Sequence, residues 1–563
     1  MPVIDVESIK KLYRQGKLEE ALERCREYLA EDPHQANVLH EMALLYVQMG
    51  ELEKAYVHLS QAVAIEPQTP LFYNSLGNVL VKQNKLFEAL THFKKALALN
   101  PESPVLCNNL ARTYYLQENF EQSSDYYKKA IALKEDYTDA LFNFSILLIR
   151  LNQQNKAIEK LNATLQHNPY HSPAASQLGQ LYLEKKEFEK AKYFFLKCLS
   201  INPEHVESHH GLGLIELSEK NLEKAIAYFE KTLELDFYHP EARYHLATAY
   251  IEKKDQPKAL QYYMQQLEVK PDIDVYYNVG VLLSYQERLQ ESLPYFNAVL
   301  SIDKNHLNTH LNLGAIYLKL DDYSNAIIHY QAAQQIVPQD PEINYILTAI
   351  TGAGTPDRPP SEYIQDLFDQ YAPHYDQHLK NYLHYQLPNL FYKTLKENVD
   401  VPDTLQWKII DLGCGTGLCG EKLKEWAKEL VGIDLSQQML AAAFHKNIYD
   451  RLENKDIHEA LLTESPAHLI VAADVFTYLG DLSSILACCS QALMNQGYLL
   501  FSVEKAHEGP YILQKNMRYA HQKDYIKKLS KDFKFNILLA EEIILRNQNN
   551  SGVKGYQFLL QRT

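Results

Sequence analysis

Small and large apolar residues recur along the first part of the chain with a period of 34. Ala55, Ala89, Ala157, Ala191, Ala225 and Ala259 stand 34 residues or a multiple apart, and Ala326 follows after 67. Twelve residues before this position comes a small residue: Gly77, Ala111, Gly179, Gly213, Ala247, Gly280 or Gly314. Four residues after it comes a large one, such as Leu59, Phe93, Tyr127, Phe195, Phe229 or Tyr330. Pro33, Pro67, Pro101, Pro169, Pro203, Pro271 and Pro338 close the units. The pattern predicts two antiparallel helices per unit, with small residues allowing close approach and proline ending the second helix. Counting from Pro2, there are ten units. Ser123 and Ser292 replace the small alanine, Glu135 replaces a proline, and Pro257 starts a second helix, where it is tolerated.

A stack of such units forms a solenoid with a concave groove. Asn74, Asn108, Asn143, Asn278 and Asn312 fall on first helices near the small position. Their amides are candidates to clamp the backbone of an extended peptide; the alternative is that they are ordinary exposed polar residues. A helix over 342–350 is expected to cover the end of the stack. Thr351–Pro360 is rich in Gly and Pro and reads as a linker. The division expected is therefore 1–338 for the repeats, 339–360 for cap and linker, and 361–563 for a second domain.

From residue 361 the period changes. Apolar runs at 408–410, 430–434, 467–474 and 497–504 alternate with helical segments, one of them expected to run to Lys428. Two late strands near 535–545 and 556–561 flank a hairpin signal at 547–552. Alternating βα units predict a parallel sheet with ligands at the strand C-terminal ends. The first strand leads into Asp411–Leu–Gly413–Cys–Gly415–Thr–Gly417 and then a helix. Such a loop lets the backbone approach a ligand closely. Asp434, at the tip of the next strand, is placed for ribose hydroxyls. Gly415–x–Gly417–x–x–Gly420 also fits a dinucleotide fingerprint, so an oxidoreductase is a rival, although that pattern leaves Asp411 and Gly413 unexplained and no second mononucleotide half follows.

The chain carries 71 acids against 56 bases, a formal charge of −15, which argues against a nucleic-acid or anionic-membrane surface over the whole molecule. Its seven cysteines include no C-x-x-C pair, so they form no recognisable metal site, and reduced thiols in the cytoplasm are the expectation. No apolar run approaches the length of a membrane span.

The phased units resemble the tetratricopeptide repeat over about residues 2–338, which implies a protein or peptide partner. Asp411–x–Gly413–x–Gly415–x–Gly417, Gly432–Ile–Asp434–Leu–Ser436 and Asp474 resemble class I S-adenosylmethionine-dependent methyltransferases. Phe368–Asp–Gln–Tyr371–Ala–Pro–His–Tyr375 is similar to the lid helix of the type 11/12 group. The resemblance implies an all-α solenoid followed by a Rossmann-like α/β domain, with a seven-stranded, mostly parallel sheet whose last strand is antiparallel. It implies S-adenosylmethionine as cofactor. Gly413, Gly415 and Gly417 would lie against its methionine part, Asp411 would hold its ammonium, and Asp434 its ribose. Leu435 and Met439 would flank adenine and Asp456 would meet its amine. Asp474 would line the reacting end, and Tyr371 and Tyr375 would close over it. Glu504 and His521 are candidate bases. A scaffold with a non-catalytic fold, or a small-metabolite methyltransferase, remain alternatives.

Overall fold

The computed structural model describes residues 6–381, 385–401, 406–548 and 551–563. Packing divides the chain into two compact units, Met1–Val275 and Tyr276–Thr563. Twenty consecutive helices, from Val6–Arg14 to Tyr323–Ile336, form ten pairs, as the period requires. The small and large positions meet inside each pair. A Cβ on Gly77 would lie 2.6 Å from the ring of Phe93, and one on Gly213 would lie 2.5 Å from Phe229. Glycine there is a packing requirement, not a flexible point. Pro257 sits in the first turn of helix Gln256–Val269, as expected.

Two recurring devices were not visible in the sequence pattern. The turn between paired helices uses one residue in the left-handed region. Gly16 and Gly50 fill it first, but Asn84, Glu118, Asn152, Lys186, Lys220, Lys254, Glu287 and Asp321 fill it later. In addition, His171, His205, His239 and His306 cap first helices, each accepting a backbone N–H at Nδ1.

Helix Pro341–Thr351 follows the last pair. Ile343, Ile346, Leu347 and Ile350 pack on Ala326, Tyr330 and Ala333. Its other side, Tyr345 and Ala349, packs on Leu513 and Tyr519 of the α/β part. The segment read as a linker is pinned as well. Gly480 N–H donates to the Asp357 carbonyl at 2.7 Å, and the Tyr519 hydroxyl donates to the Pro356 carbonyl at 2.7 Å.

Among the described residues nine strands form one mixed sheet: β1 Trp407–Leu412, β2 Ala427–Asp434, β3 Arg451–Asn454, β4 Ala467–Ala472, β5 Leu493–Lys505, β6 Tyr511–Leu513, β7 Tyr519–His521, β8 Phe535–Gln548 and β9 Ser551–Arg562. The order β3-β2-β1-β4-β5 is parallel; β9 joins β5 antiparallel, and β8 pairs with β9. These seven match the expected sheet. The count of seven needs correcting, because the β6–β7 hairpin adds two short strands. β7 pairs with Glu504 and Lys505, at the end of β5 beyond β4. The helix expected to reach Lys428 stops earlier: Leu418–Leu423 and a short 3-10 turn give way to β2 at Ala427. The hairpin signal at 547–552 lies partly outside the described residues. Ile410 and Leu412 point into one buried layer and Ile409 into the other, so both faces of β1 are covered. Among the described residues no helix is long and apolar enough to cross a membrane.

Candidate functional site

The β1 register puts Asp411 opposite Gly432 of β2 and Val471 of β4. The chain then leaves the sheet through Gly413, Gly415 and Gly417, with φ of 58°, 52° and 90°. An L side chain is strained at these angles, and a Cβ on Gly413 would also lie 2.6 Å from Val475. Asp434 ties the loop to the next turn: its Oδ2 accepts Gly415 N–H and its Oδ1 accepts Ser436 N–H, both at 2.8 Å.

A cavity opens at these strand ends. Gly413, Gly415, Asp434, Leu435, Met439, Asp456, Asp474 and Tyr375 all line it. Eight expected cofactor residues, spread over about a hundred positions of sequence, are thus brought together. Asp411 lies beneath, lining a smaller pocket with Gly413, Gly415, Tyr375 and Tyr385. Gly417 lines neither, but its turn starts helix Leu418–Leu423. Tyr371 also lines neither; its hydroxyl bonds His378 Nδ1, and its ring meets Tyr375 edge-on at 5.1 Å. Asp456 caps helix Ile457–Thr463 by accepting His458 N–H at 2.8 Å, and the His458 beside it holds its carboxyl below the usual range.

Two acids bolt the segment 361–381 to the site, one to the glycine loop and one to the turn after β2. Asp376 accepts from the Thr416 hydroxyl and pairs with Lys446 at 3.0 Å. Asp369 accepts from the Ser436 hydroxyl and from Gln438 N–H. Sequence reasoning also missed Arg358, Pro359, Ser361 and Ile364, which form one wall of the cavity although they belong to the linker and the helix after it.

Burial pushes Asp411 up to about 7, with nearby Asp434 adding to the rise; the Tyr449 hydroxyl, donating to it at 2.6 Å, pulls the other way. Burial likewise pushes Asp434 up to about 6, against the N–H groups of Ser436 and Gly415. Both acids therefore sit where a cation is favoured.

Asp474 belongs to a four-membered charge cluster in which Glu504 and Arg546 are buried and Asp474 and Arg518 half-buried. Its backbone is left-handed, with φ 60°. Arg546 reaches Asp474 at 3.1 Å and also bonds Glu504; Arg518 reaches Asp474 at 3.2 Å and Glu504 at 3.7 Å. Gln514 donates to the second Glu504 oxygen at 2.7 Å. Both Glu504 oxygens are thus occupied, which leaves it poorly suited to remove a proton. His521 lies outside the cavity, fully buried in β7, with Nε2 at 2.9 Å from the Gly480 carbonyl. Burial pushes it down to about 4.

Four of the five candidate asparagines, Asn74, Asn108, Asn143 and Asn312, are bonded to a polar residue one unit away. Asn109 donates to Asn74 at 2.8 Å and Asn143 to Asn108 at 3.1 Å. Asn312 donates to the Tyr277 hydroxyl at 3.1 Å, and Asn278 is half-buried. His40 and Ser75 make the same step at 2.8 Å. These residues form rungs between successive first helices.

Residues 410–499 match the family model described as "Methyltransferase domain". Tetratricopeptide-repeat models match residues 12–78, 68–136, 173–205, 216–278 and 277–341. The chain is a tetratricopeptide-repeat array joined to a methyltransferase domain. This repeat–methyltransferase chain is similar to the ubiquinone biosynthesis O-methyltransferase of Leptothrix cholodnii, 29% identical over 112 residues, which are 19% of this chain and 48% of that protein. It is similar to the human mitochondrial enzyme of the same name, 29% identical over 130 residues, 22% of this chain and 35% of that one. It therefore spans a third to a half of the length of these curated relatives. Among solved structures, it is similar to YrrB, described as a TPR protein with an unusual peptide-binding site: 26% identity, 33% of this chain and 96% of YrrB covered, TM-score 0.28.

Proposed function

We propose that the repeat–methyltransferase chain transfers a methyl group from S-adenosylmethionine to a protein or peptide acceptor recruited by its repeats, with residues 361–563 as the core of the methyltransferase domain. The observation that carries the cofactor reading is Asp411, a carboxylate 1% exposed, directly beneath the glycine loop. A pyrophosphate would meet like charge there, and the helix after the loop has only six residues to offset it. A cofactor with an ammonium and a sulfonium meets the opposite. This favours a methyl donor over a dinucleotide.

The residues present fit that group. Asp411 would hold the ammonium, Asp434 the ribose, and Leu435 and Met439 the adenine, with Asp456 at its edge. When bound, the cofactor supplies a methyl group already activated on sulfur. The protein's part is to align an acceptor beside Asp474, Tyr375 and Tyr478, and to exclude water with the lid. Glu504 is held by Arg546 and Gln514, so alignment is a better account of this site than proton removal.

The test is calorimetry with S-adenosylhomocysteine, followed by labelled-methyl transfer into cell lysate. Binding to the wild type, weakened at least about tenfold in Asp434→Ala, supports the reading. NADH binding without S-adenosylhomocysteine binding would overturn it. Cofactor binding with no labelled macromolecule and no labelled small molecule favours a scaffold. Label confined to small molecules would replace the protein acceptor by a metabolite, the class that the names of the curated relatives indicate for those proteins.

A further inference from the structure

Two consecutive first helices of the repeat array, Ser172–Glu184 and Val206–Ser218, and the N-cap residue of the next, Glu241 before Ala242–Glu252, border an open cavity of about 410 Å³ lined by His205, Glu207, His210 and Glu241. At its edge His210, Glu241 and His245 each offer one ligand atom, all within 4.8 Å of one another. We propose that His210, Glu241 and His245 bind a Zn²⁺-type divalent cation that staples neighbouring repeats together. No Cys or His spacing announces the site, because its ligands come from two different repeats.

Three points support this set. The His210 side chain is 6% exposed, yet its Nε2 is buried with no hydrogen-bond partner. A buried nitrogen left unpaired is costly, and a metal ion is one way to use it. Glu241 and His245 are one helical turn apart at the start of the same helix, so they face the same way. Two imidazoles and a carboxylate form a three-protein-ligand set that leaves the fourth tetrahedral position to water.

A second cluster, Glu207, His210 and His239, overlaps the first. His239 is excluded as a ligand by its role as a cap. Its Nδ1 accepts the Ala242 N–H at 3.1 Å, which puts its proton on Nε2, facing Glu207 at 3.9 Å. A tetrahedral Zn²⁺ with bonds near 2.0–2.1 Å holds its ligand atoms roughly 3.3 Å apart, so the three side chains must draw in slightly on binding. Glu241 is exposed and free to do so.

The test uses the untagged full chain, stripped with a chelator and titrated with Zn²⁺, Co²⁺ and Mg²⁺. The expected result is one equivalent of Zn²⁺ bound, a tetrahedral Co²⁺ visible spectrum, and a rise in unfolding temperature with Zn²⁺. Glu241→Gln, at an exposed position that does not threaten folding, is expected to weaken Zn²⁺ at least about tenfold, and His245→Gln likewise, with helical circular dichroism unchanged. Absence of stoichiometric Zn²⁺ binding, Mg²⁺ binding as tightly as Zn²⁺, or wild-type affinity in folded Glu241→Gln would each overturn the proposal.

Discussion

Replacing Arg546 by methionine tests whether the charge cluster holds the site together. Arg546 is 3% exposed, and so is Glu504, which it bonds; it also reaches both oxygens of Asp474, at 3.1 and 3.3 Å. The cluster now balances two carboxylates with two guanidiniums. Arg546→Met keeps the stem but leaves two acids, buried Glu504 and half-buried Asp474, sharing Arg518. Breaking one side of a buried pair costs about 3–5 kcal/mol. Arg518 remains within reach of both acids, so the lower end, about 3 kcal/mol, is expected. Adding Glu504→Gln removes the surplus charge and should return about 1–2 kcal/mol of that loss. Both tryptophans, Trp407 and Trp426, lie in the α/β part, so urea unfolding followed by tryptophan fluorescence reports on that part and not on the repeats. A single variant within about 1 kcal/mol of wild type, or a double variant less stable than the single, would refute the account.

Three further outcomes follow from local geometry. Gly413→Ala meets both a left-handed φ and Val475 at 2.6 Å; it should cost about 2–4 kcal/mol in urea unfolding and abolish S-adenosylhomocysteine binding in calorimetry. Asp411 has its folded pKa raised from 3.8 to about 7, so its contribution to stability is complete below about 4 and is lost as pH rises to about 7; Asp411→Asn should flatten the pH dependence of unfolding in that window. Glu118, at φ 59° in a helix-to-helix turn, should gain about 0.5–1 kcal/mol on replacement by glycine, measured as a higher urea midpoint.

The repeats were legible because one short-range rule, small against large inside a helix pair, recurs in nearly every unit. The glycine loop and Asp434 were legible because strand, loop and helix are contiguous in sequence. What escaped depends on contacts across sequence. Arg546 lies 42 residues from Glu504 and 72 from Asp474, and the β5–β9–β8 register unites them. β3 is poorly marked because Arg451–Asn454 is an edge strand with exposed ends, so it has no apolar run. The histidine caps read as polar residues before a helix, with nothing to reveal that Nδ1 would be the acceptor. Gly and Pro in 351–360 were correctly read as helix breakers. That reading misled about the role, because an irregular backbone can still be fixed by hydrogen bonds to its neighbours.

That last point changes where the methyltransferase part begins. A boundary at 361 leaves the glycine loop intact but removes Arg358 and Pro359 from the cavity wall. It also removes Tyr345 and Ala349, which cover Leu513 and the fully buried Tyr519, and two hydrogen bonds, at Pro356 and Asp357. Uncovering two large side chains costs about 1.5–3 kcal/mol each, so a fragment of residues 361–563 should be roughly 3–6 kcal/mol less stable than the same residues in the full chain. A fragment starting at Tyr276, the edge of the second compact unit, keeps all these contacts. It should bind S-adenosylhomocysteine as the full chain does, while the shorter fragment binds at least about tenfold more weakly. Equal affinity and equal urea midpoints for the two fragments would show that the 341–360 segment is a tether after all. If they differ as expected, loss of methyl transfer on deleting everything before 361 would not by itself demonstrate recruitment by the repeats, because the cut damages the site that performs the transfer.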